Sequence, residues 1–371
     1  MRTLKILHAA DLHLDSPFEG LSSGKAAMRR SEQRELLGRL AALVKSEGVQ
    51  LVLLPGDLLD SDNSYYETGE ELIRCRTQME VPVLIAPGNH DYYAPRSPWA
   101  RLKLPANVRV FTENEIQGFT LRNLGVRVYG AAFTEKHSGP LLKNFRAPRE
   151  EGVFNLLCLH GEVGKPDSLY DPISEAALAE SGVDYAALGH IHKASGLLRA
   201  GATWYSWPGC PEGRGFDETG EKSVSIVTLS EEGCTLETRD IALRRYEKLC
   251  VDVTGTDPLL AIHTSLPDET VRDVYRIVLT GEADESPDLA RLQQNLSEMF
   301  FELQLRDETR IRRGLWDSAG ENSLRGLFLK KLKEDYDAAR DEGQRRKIEQ
   351  AARWGLAALD HREEVVRHDD P

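Results

Sequence analysis

A short apolar run that leads directly into polar residues occupies residues 81–91, with the sequence VPVLIAPGNHD. The run at residues 83–86 is too short for a helix and is typical of a strand buried on both faces. Pro87 and Gly88 end the strand and are followed by Asn89 and His90. The stretch therefore predicts a buried strand that delivers polar side chains to one rim of a sheet.

The same arrangement recurs four more times along the chain. Apolar runs at residues 4–10, 51–54, 155–159 and 185–188 each end in polar residues, and the five ends read DxH, GD, GNHD, HG and GHxH in order. A lone Gly-Asp is usually a turn, and a lone histidine such as His160 is usually structural. Five strand ends of this kind are not explained by turn chemistry, so together they predict one metal site.

The residue types at these ends suit a pair of divalent ions. Two ions about 3.5 to 4 Å apart need a ligand that bridges them, and the carboxylate of Asp57 is the candidate. A mixture of imidazole, carboxylate and amide ligands favours manganese, with iron, zinc or magnesium as alternatives. The predicted metal ligands are Asp11, His13, Asp57, Asn89, His160, His190 and His192.

Other histidines and the cysteines fit no such pattern. The histidines outside the motifs are expected to be structural or surface residues, and they are His8, His137, His263, His361 and His368. The five cysteines are odd in number and lie far apart, which disfavours a disulfide framework and a zinc knuckle. Cys158 is expected in the core.

Periodicity along the chain predicts an α/β fold with three regions. Short strands alternate with helical spacing, as at residues 31–47, through residue 230. A small β-α-β-α-β unit follows, with helices at residues 258–265 and 287–297 and Ser286 as the cap of the second helix. From Ser323 the chain is expected to be helical. The predicted domains are residues 1–240, residues 241–310 and a helical region at residues 311–371.

Composition excludes some classes of protein. The hydrophobic share of 40% and the charged share of 29% are ordinary for a globular enzyme. No apolar run reaches the roughly 18 residues that a spanning helix needs. We therefore expect a cytoplasmic protein without membrane association. The net charge of −13 does not favour nucleic acid, although it leaves room for a local basic patch.

The ordered motifs resemble those of the calcineurin-like metallophosphoesterase superfamily, from Asp11 to His192, with every ligand position retained. The resemblance implies a β-sandwich flanked by helices, in four αββα layers. It also implies that Asp57 is shared between two metals, each with three further ligands. His90 would lie beside the scissile phosphate, with Asp91 orienting it, so these two are the predicted catalytic residues. The resemblance implies that Asp11, His13 and His192 hold one metal with Asp57, and that Asn89, His160 and His190 hold the other.

A second stretch carries a narrower resemblance. Residues 207–214, WPGCPEGR, and residues 218–222, ETGEK, are similar to a signature of the SbcD and YhaO type of bacterial DNA-repair exonuclease. The opening HAADLHLDSPF at residues 8–18 is similar to the YhaO type. Cys210 stands where such sequences usually carry serine. The alternative for residues 207–222 is a Pro/Gly-rich surface loop.

The resemblance implies a DNA exonuclease of DNA repair that uses two divalent ions. In related nucleases the small unit caps the active site and guides DNA, but it equally fits a packing or dimerisation module, so a homodimer stays open. The apolar stripe Leu324, Phe328, Leu332 and Tyr336 fits a docking face for an SMC-like coiled-coil ATPase, or packing on the protein's own core. Two other functions remain: a small-molecule phosphodiesterase or phosphatase, and a non-catalytic scaffold subunit of an SMC-like ATPase complex.

Overall fold

The structure is a computed structural model that describes residues 2–61, 65–283, 285–311 and 313–359. The chain divides into two compact units, Met1–Arg245 and Tyr246–Pro371. No helix among the described residues is both long and apolar enough to cross a membrane. His361 and His368 lie outside the described residues, as does the end of the predicted helical region.

The first unit alternates strands and helices. Its helices are α1 (Ser23–Ser46), α2 (Tyr66–Met79), α3 (Pro98–Arg101) and α4 (Glu175–Glu180). Its strands are β1 (Thr3–His8), β2 (Leu51–Leu54), β3 (Val83–Ile85), β4 (Val108–Val110), β5 (Gln117–Leu121), β6 (Val126–Gly130), β7 (Phe154–His160), β8 (Glu162–Val163), β9 (Pro172–Ile173), β10 (Tyr185–Gly189), β11 (Leu198–Ala200), β12 (Thr203–Ser206), β13 (Val224–Ser230) and β14 (Gly233–Arg239).

Two large sheets form the body of this unit within the described part of the chain. The first sheet has the order β14-β13-β1-β2-β3-β4, and the second has the order β11-β12-β10-β7-β6-β5. Strands β1 to β4 are parallel, as are β6, β7, β10 and β12. Antiparallel strands lie at one edge of the first sheet and at both edges of the second, whereas the other edge of the first sheet is the parallel strand β4. In each sheet, therefore, several parallel strands point their carboxyl ends the same way.

Three apolar cores join these sheets to each other and to the helices. The core between the sheets contains Ile6 and Leu53 from the first sheet and Leu156 from the second, all fully buried. A second core packs α1 and α2 on the outer face of the first sheet, and a third packs α4 on the second sheet. The layers are helix, sheet, sheet and helix, so the predicted fold class is confirmed. Cys158 lies in the core between the sheets, as expected.

The described part of the second unit contains a three-stranded parallel sheet, a two-stranded sheet and four α-helices. Its strands are β15 (Tyr246–Asp252), β16 (Val274–Thr280), β17 (Glu282–Ala283), β18 (Glu302–Asp307) and β19 (Arg310–Ile311), and its helices are α5 (Pro258–Ser265), α6 (Leu289–Leu296), α7 (Leu324–Ala338) and α8 (Glu342–Leu359). The sheet order is β15-β16-β18, and its core takes Ile262 from α5 and Leu296 from α6. The predicted β-α-β-α-β elements are present. Their assignment as a capping-type domain stays a prediction.

The helices α7 and α8 pack against each other at the end of the described chain. Leu329 and Ala352 are fully buried between them, and three members of the predicted stripe, Phe328, Leu332 and Tyr336, pack against the same cluster. Leu324 differs, because 70% of its surface is exposed. Most of the stripe therefore serves the helical pair itself and is not a free docking face, since residues four apart on one helix also face a helix packed alongside.

Candidate metal centre

The predicted ligands lie at the carboxyl ends of the parallel strands. In the first sheet, Asp11 and His13 follow β1, Asp57 follows β2, and Asn89 follows β3. In the second sheet, His160 is the last residue of β7, and His190 and His192 follow β10. Contacts between these side chains join the two sheets at this edge, which is where open parallel sheets generally bind ligands.

The turns that carry these residues adopt a rare backbone conformation. Four of the predicted ligands have positive φ: Asp11 at 53°, His13 at 44°, Asp57 at 50° and His190 at 95°. Such φ values are uncommon for residues with a Cβ atom, and each costs free energy of about 1 to 3 kcal/mol. The rest of the fold offsets this strain, which concentrates at the edge where the ligands meet.

Two glycines allow the turns from the two sheets to approach closely. Gly56 has φ of 88°, and a Cβ atom there would lie 2.4 Å from Nδ1 of His160. A Cβ atom on Gly189 would lie 1.8 Å from the carbonyl oxygen of Pro55. Any larger residue at these positions would push apart the turns that carry Asp57 and His190.

The structure brings most of the predicted ligands within reach of common points. Within the described part of the chain, three groups each offer one ligand atom per residue, and these atoms lie within 4.8 Å of one another. The groups are Asp11 with His13 and His192, His13 with Asp57 and His90, and Asp11 with Asp57 and His160. Asp11 and Asp57 each belong to two groups, and both are 1% exposed. The chain thus has Asp and His groups that can bind metal ions.

Asn89 and His190 lie beside this cluster. Oδ1 of Asn89 is 2.9 Å from Nε2 of His160, and the ring centroids of His160 and His190 are 5.1 Å apart. The backbone N–H of His190 donates to both carboxylate oxygens of Asp11, at 3.0 and 3.1 Å. His190 also stacks against Tyr170, with 4.7 Å between the ring centroids. All seven predicted ligands therefore lie in one connected cluster, and their binding of metal stays a prediction.

Each of three histidines has one ring nitrogen held by an oxygen. Nδ1 of His13 lies 3.0 Å from Asp60, Nδ1 of His192 lies 2.6 Å from Glu218, and Nδ1 of His160 lies 3.1 Å from the carbonyl oxygen of Pro55. Carboxylate and carbonyl oxygens only accept hydrogen bonds, so each Nδ1 carries the proton in the neutral ring. Each Nε2 then presents a lone pair, which is the state that ligates metal.

Two of these lone pairs point at each other. Nε2 of His13 and Nε2 of His192 are 3.2 Å apart, and Oδ1 of Asp11 lies 4.0 Å from the second of them. Two acceptor nitrogens at this distance repel each other unless a cation lies close to both. The donor set and this juxtaposition therefore fit a divalent cation at the group Asp11, His13 and His192.

The electrostatics of the cluster lead to the same conclusion. Burial lowers the pKa of His13 to about 4 and that of His190 to about 4, so both rings are neutral near pH 7. Burial, reinforced by the charge of Asp57, raises the pKa of Asp11 well above its usual value. Burial would also raise the pKa of Asp57, but His160 and other nearby histidines outweigh it and lower that pKa. Buried carboxylates beside neutral imidazoles fit bound cations, which would relieve the repulsion between Asp11 and Asp57.

The two predicted catalytic residues occupy different positions. The side chain of His90 is 43% exposed, with its ring 4.7 Å from that of His13. Asp91 is fully buried and accepts backbone N–H groups from Asp57, Leu58, Leu59 and Gly88. Burial and the charge of Asp57 raise the pKa of Asp91 to about 7.

The partner of the His90 ring differs from the one expected. Nδ1 of His90 lies 3.2 Å from the carbonyl oxygen of Asp60 and 3.9 Å from its carboxylate. Asp60, not Asp91, is therefore the acidic residue beside this ring. The Asp91 carboxylate instead accepts hydrogen bonds from backbone N–H groups in the two turns that follow β2 and β3. The catalytic roles of His90 and Asp91 stay predictions.

Residues 207–213 are buried beside the cluster, so this part of the stretch is not the surface loop considered as an alternative. Nε1 of Trp207 donates to the carbonyl oxygens of Gly161 and Gly189, both at 3.1 Å, next to His160 and His190. Cys210 is 1% exposed, and its N–H donates to the carbonyl oxygen of His192.

Three residues at the cluster were not predicted as site residues. They are Asp60, Arg214 and Glu218. Burial would raise the pKa of Glu218, but hydrogen bonds from His192 and Arg214 outweigh it and hold that pKa well below its usual range. The spacing Gly56-Asp57-x-x-Asp60 was the one local signal for Asp60. For Arg214 and Glu218, the signal was a pair of opposite charges four residues apart within residues 207–222.

Several known proteins are similar to this chain. The uncharacterized metallophosphoesterase YhaO of Bacillus subtilis is 28% identical over 365 residues, covering 90% of this chain and 87% of YhaO. The DNA double-strand break repair protein Mre11 of Methanosarcina mazei is 25% identical, covering 69% of this chain and 41% of Mre11. The SbcD component of the nuclease SbcCD of Bacillus subtilis is 33% identical over 95 residues, covering 24% of this chain and 22% of SbcD.

Solved structures and a family model also resemble this chain. A dimetal phosphatase from Danio rerio has a TM-score of 0.43 and 14% identity, and covers 64% of this chain and 96% of the phosphatase. The protein TT1561 of Thermus thermophilus has a TM-score of 0.40 and 15% identity, and covers 64% of this chain and 99% of TT1561. The family model for calcineurin-like phosphoesterases matches residues 4–194, which contain every predicted ligand. With more than half of its length matched by this family model, the chain belongs to the calcineurin-like phosphoesterase family, and it is a metal-dependent phosphoesterase.

Proposed function

We propose that this chain is a DNA exonuclease that uses two divalent metal ions to hydrolyse phosphodiester bonds in DNA repair. The observation that carries the proposal is the set of three overlapping Asp and His groups at one edge of the two sheets. Two of these groups overlap through Asp57, the residue proposed to be shared between the two cations. The relatives named as a DNA repair protein and as part of a nuclease support DNA as the substrate.

The ligand assignment follows from the family resemblance and from the contacts. One ion would be held by Asp11, His13 and His192 together with Asp57. The other would be held by Asn89, His160 and His190, again with Asp57. When bound, two divalent ions would supply Lewis-acid activation of water and neutralise the charge of a phosphodiester. Manganese fits the mixed nitrogen and oxygen donors, with iron, zinc and magnesium as alternatives.

His90 is the residue proposed to move a proton. Its Nδ1 donates to the carbonyl oxygen of Asp60, so Nε2 is the nitrogen free to hold a proton for the leaving oxygen. Its partial exposure gives a substrate access to the ring, in contrast to the buried imidazoles of His13 and His160. General acid catalysis of this kind typically contributes about 10² to 10⁴-fold to the rate. Asp91 acts on the backbone, because it holds the turns that present Asp57 and His90.

Asp60, which lies beside two of these rings, also has a role. Asp60 accepts from Nδ1 of His13 and lies beside His90, so it fixes the orientation of both rings. The N–H of His90 in turn donates to Oδ1 of Asp57, at 2.9 Å. The proposed proton donor and the proposed shared ligand are thereby hydrogen-bonded to each other, and they lie in the two short segments that follow β3 and β2.

The proposed partners are DNA and an SMC-like coiled-coil ATPase. Because Phe328, Leu332 and Tyr336 pack within the helical pair, a docking face on α7 would depend on Leu324 and Leu327, which are 70% and 62% exposed. These two residues are three apart and lie on one side of the helix. Assembly as a homodimer is a further proposal.

A small-molecule phosphodiesterase or phosphatase is the second candidate. It is favoured by the net charge of −13, since a DNA-binding surface is usually basic. The scaffold alternative is less well supported, because a non-catalytic subunit has no need for a complete set of seven clustered ligands.

The test compares substrates with one preparation of the full chain in Mn²⁺. We expect hydrolysis of end-labelled single-stranded or double-stranded DNA, loss of that activity in EDTA, and at least 10²-fold slower turnover in His90→Ala. Cyclic nucleotides and p-nitrophenyl phosphoesters serve as the small-molecule substrates. Hydrolysis of these compounds with intact DNA would favour the second candidate, and no hydrolysis of any substrate would favour the scaffold.

A further inference from the structure

The stretch at residues 207–222 lies where it can act on the metal centre. It connects β12 of the second sheet to β13 of the first, and β13 begins beside the carboxyl end of β1 through the pair His8 and Ser225. The connection therefore crosses the edge at which the ligands meet. Its buried residues include Glu218, which is 6% exposed.

Within this stretch, Glu218 uses both carboxylate oxygens. Oε1 accepts from Nδ1 of His192 at 2.6 Å and from Nη2 of Arg214 at 2.8 Å. Oε2 accepts from the backbone N–H of Arg214 at 2.8 Å. The carboxylate is thus fixed by Arg214 on one side while it fixes the ring of His192 on the other.

Arg214 extends this arrangement to a second histidine. Its Nη1 donates to Oδ1 of Asp60 at 3.0 Å, and Oδ1 of Asp60 accepts from Nδ1 of His13 at 3.0 Å. One planar guanidinium therefore joins two carboxylates, and each carboxylate holds one imidazole of the same metal group. A lysine has a single charged nitrogen and cannot reproduce this two-sided geometry.

We propose that Arg214 and Glu218 are positioning residues that, with Asp60, hold His13 and His192 in the tautomer and orientation needed to bind one divalent cation together with Asp11. Residues 207–222 then help to form one of the two metal sites. The inference rests on the metal ligation proposed above and does not depend on DNA as the substrate. Removing such partners typically lowers metal affinity by about 10 to 100-fold.

Glu218→Gln gives the sharpest test, because it keeps the size of the side chain. Its amide group can donate to Nδ1 of His192, which would move the ring proton to Nε2 and remove the lone pair that faces Asp11. Arg214→Lys and Asp60→Asn test the other two members. Glu212→Gln is the matched control, since Glu212 is 2% exposed in the same stretch and pairs with Arg29 at 2.7 Å instead of with a histidine.

The measurement is calorimetric titration of Mn²⁺ into the metal-free full chain without substrate. Metal analysis before the titration checks that each variant is metal-free, and its melting temperature checks that it is folded. We expect two Mn²⁺ ions in the wild type and in Glu212→Gln. In Glu218→Gln, one of the two should bind about 10 to 100-fold more weakly while the other keeps its affinity, and Arg214→Lys and Asp60→Asn should weaken the same ion.

Wild-type affinity for both ions in Glu218→Gln would overturn the inference, and so would an equal loss in Glu212→Gln. If metal-free Glu218→Gln does not fold, normal binding of both ions by Arg214→Lys and Asp60→Asn would overturn it. A wild-type chain that binds two Mn²⁺ ions but hydrolyses no DNA would refute the exonuclease and leave the inference standing. A wild-type chain that binds no Mn²⁺ would overturn both.

Discussion

Asp57 is the residue at which a conservative change should separate metal binding from folding. It is 1% exposed, belongs to two of the three metal groups, and lies 3.4 Å from Nε2 of His160 and 3.8 Å from Nε2 of His13. Asp57→Asn removes its charge but keeps an oxygen that can accept the N–H of His90, now at 2.9 Å. The metal-free variant should therefore fold.

The electrostatics predict the direction of its effect on stability. In the metal-free protein, burial raises the pKa of Asp11 and the charge of Asp57 raises it further. Removing that charge relieves this repulsion but also removes the attraction to His160 and His13 that lowers the pKa of Asp57, so the two effects oppose each other and each protein is compared with its own metal-free form. The neutral amide introduced by this change is a weaker ligand and a poor bridge, so the gain in stability from added metal should be lost.

The size of that loss can be worked out by linkage. An ion that binds only the folded protein, at 100 times its dissociation constant, stabilises it by about 2.7 kcal/mol. Two such ions stabilise the wild type by about 5 kcal/mol, and none stabilises the variant. In a unit of roughly 245 residues, about 2 to 4 °C per kcal/mol gives a difference of about 10 to 20 °C in the metal-induced shift of melting temperature.

Thermal melts of both proteins with EDTA and with Mn²⁺ provide the assay. Asp184→Asn is the control, because its carboxylate also accepts one backbone N–H, from Asn155 at 2.7 Å, but lies before β10 at the opposite edge of the sheet. We expect the control to keep the metal-induced shift. A metal-induced shift in Asp57→Asn as large as that of the wild type, or two bound Mn²⁺ ions per chain, would refute the shared-ligand assignment.

Three further predictions concern the proton donor, acid stability and the tail. His90→Ala should keep both metal ions and the affinity for DNA while turnover falls by about 10² or more, and near-normal single-turnover rates would remove His90 from the mechanism. Burial lowers the pKa of His8 to about 3. Between pH 6.5 and about 3, the unfolded chain therefore binds a proton at this histidine that the folded protein does not bind, so stability falls as the pH falls. In denaturant melts, His8→Gln should lose less stability than the wild type across this range of pH. Deleting residues 321–371 should leave hydrolysis of a small phosphodiester within about twofold, since every proposed ligand precedes residue 193, and a loss of several degrees in melting temperature of the first unit would show that the tail belongs to its core.

Elements whose signal is local could be predicted from the sequence. The strand Leu51–Leu54 has the predicted bounds because four consecutive apolar residues are all buried in a parallel sheet. The helix Pro258–Ser265 also has its predicted bounds, since proline at its first position fixes its beginning. The predicted ligands lie at the ends of these strands or a few residues beyond them, so their positions were predictable as well.

Two helix starts were predicted wrongly, for different reasons. Helix α1 begins at Ser23, eight residues before the predicted start, because its first turns are anchored by the buried ion pairs of Arg29 with Glu32 and Glu212 instead of by apolar residues. Helix α6 begins at Leu289 with Asp288 as the cap, whose side chain accepts from the N–H of Arg291 at 2.9 Å. Ser286 was the expected cap, and two cap-forming residues so close together compete for the same helix end.

The sequence did not predict which residues contact the imidazoles, although it did predict which imidazoles lie at the site. His160 is 105 residues from Pro55, whose carbonyl oxygen holds its ring, and His13 and Asp60 are 47 residues apart. These contacts exist because the parallel strands of two sheets end at the same edge, so they depend on topology and not on spacing. A histidine at a strand end indicates a potential ligand, but its tautomer is set by the oxygen that the fold places next to its other ring nitrogen. The metal affinity of this centre should therefore depend on Asp60, Arg214 and Glu218 as well as on the ligands that the motifs predict.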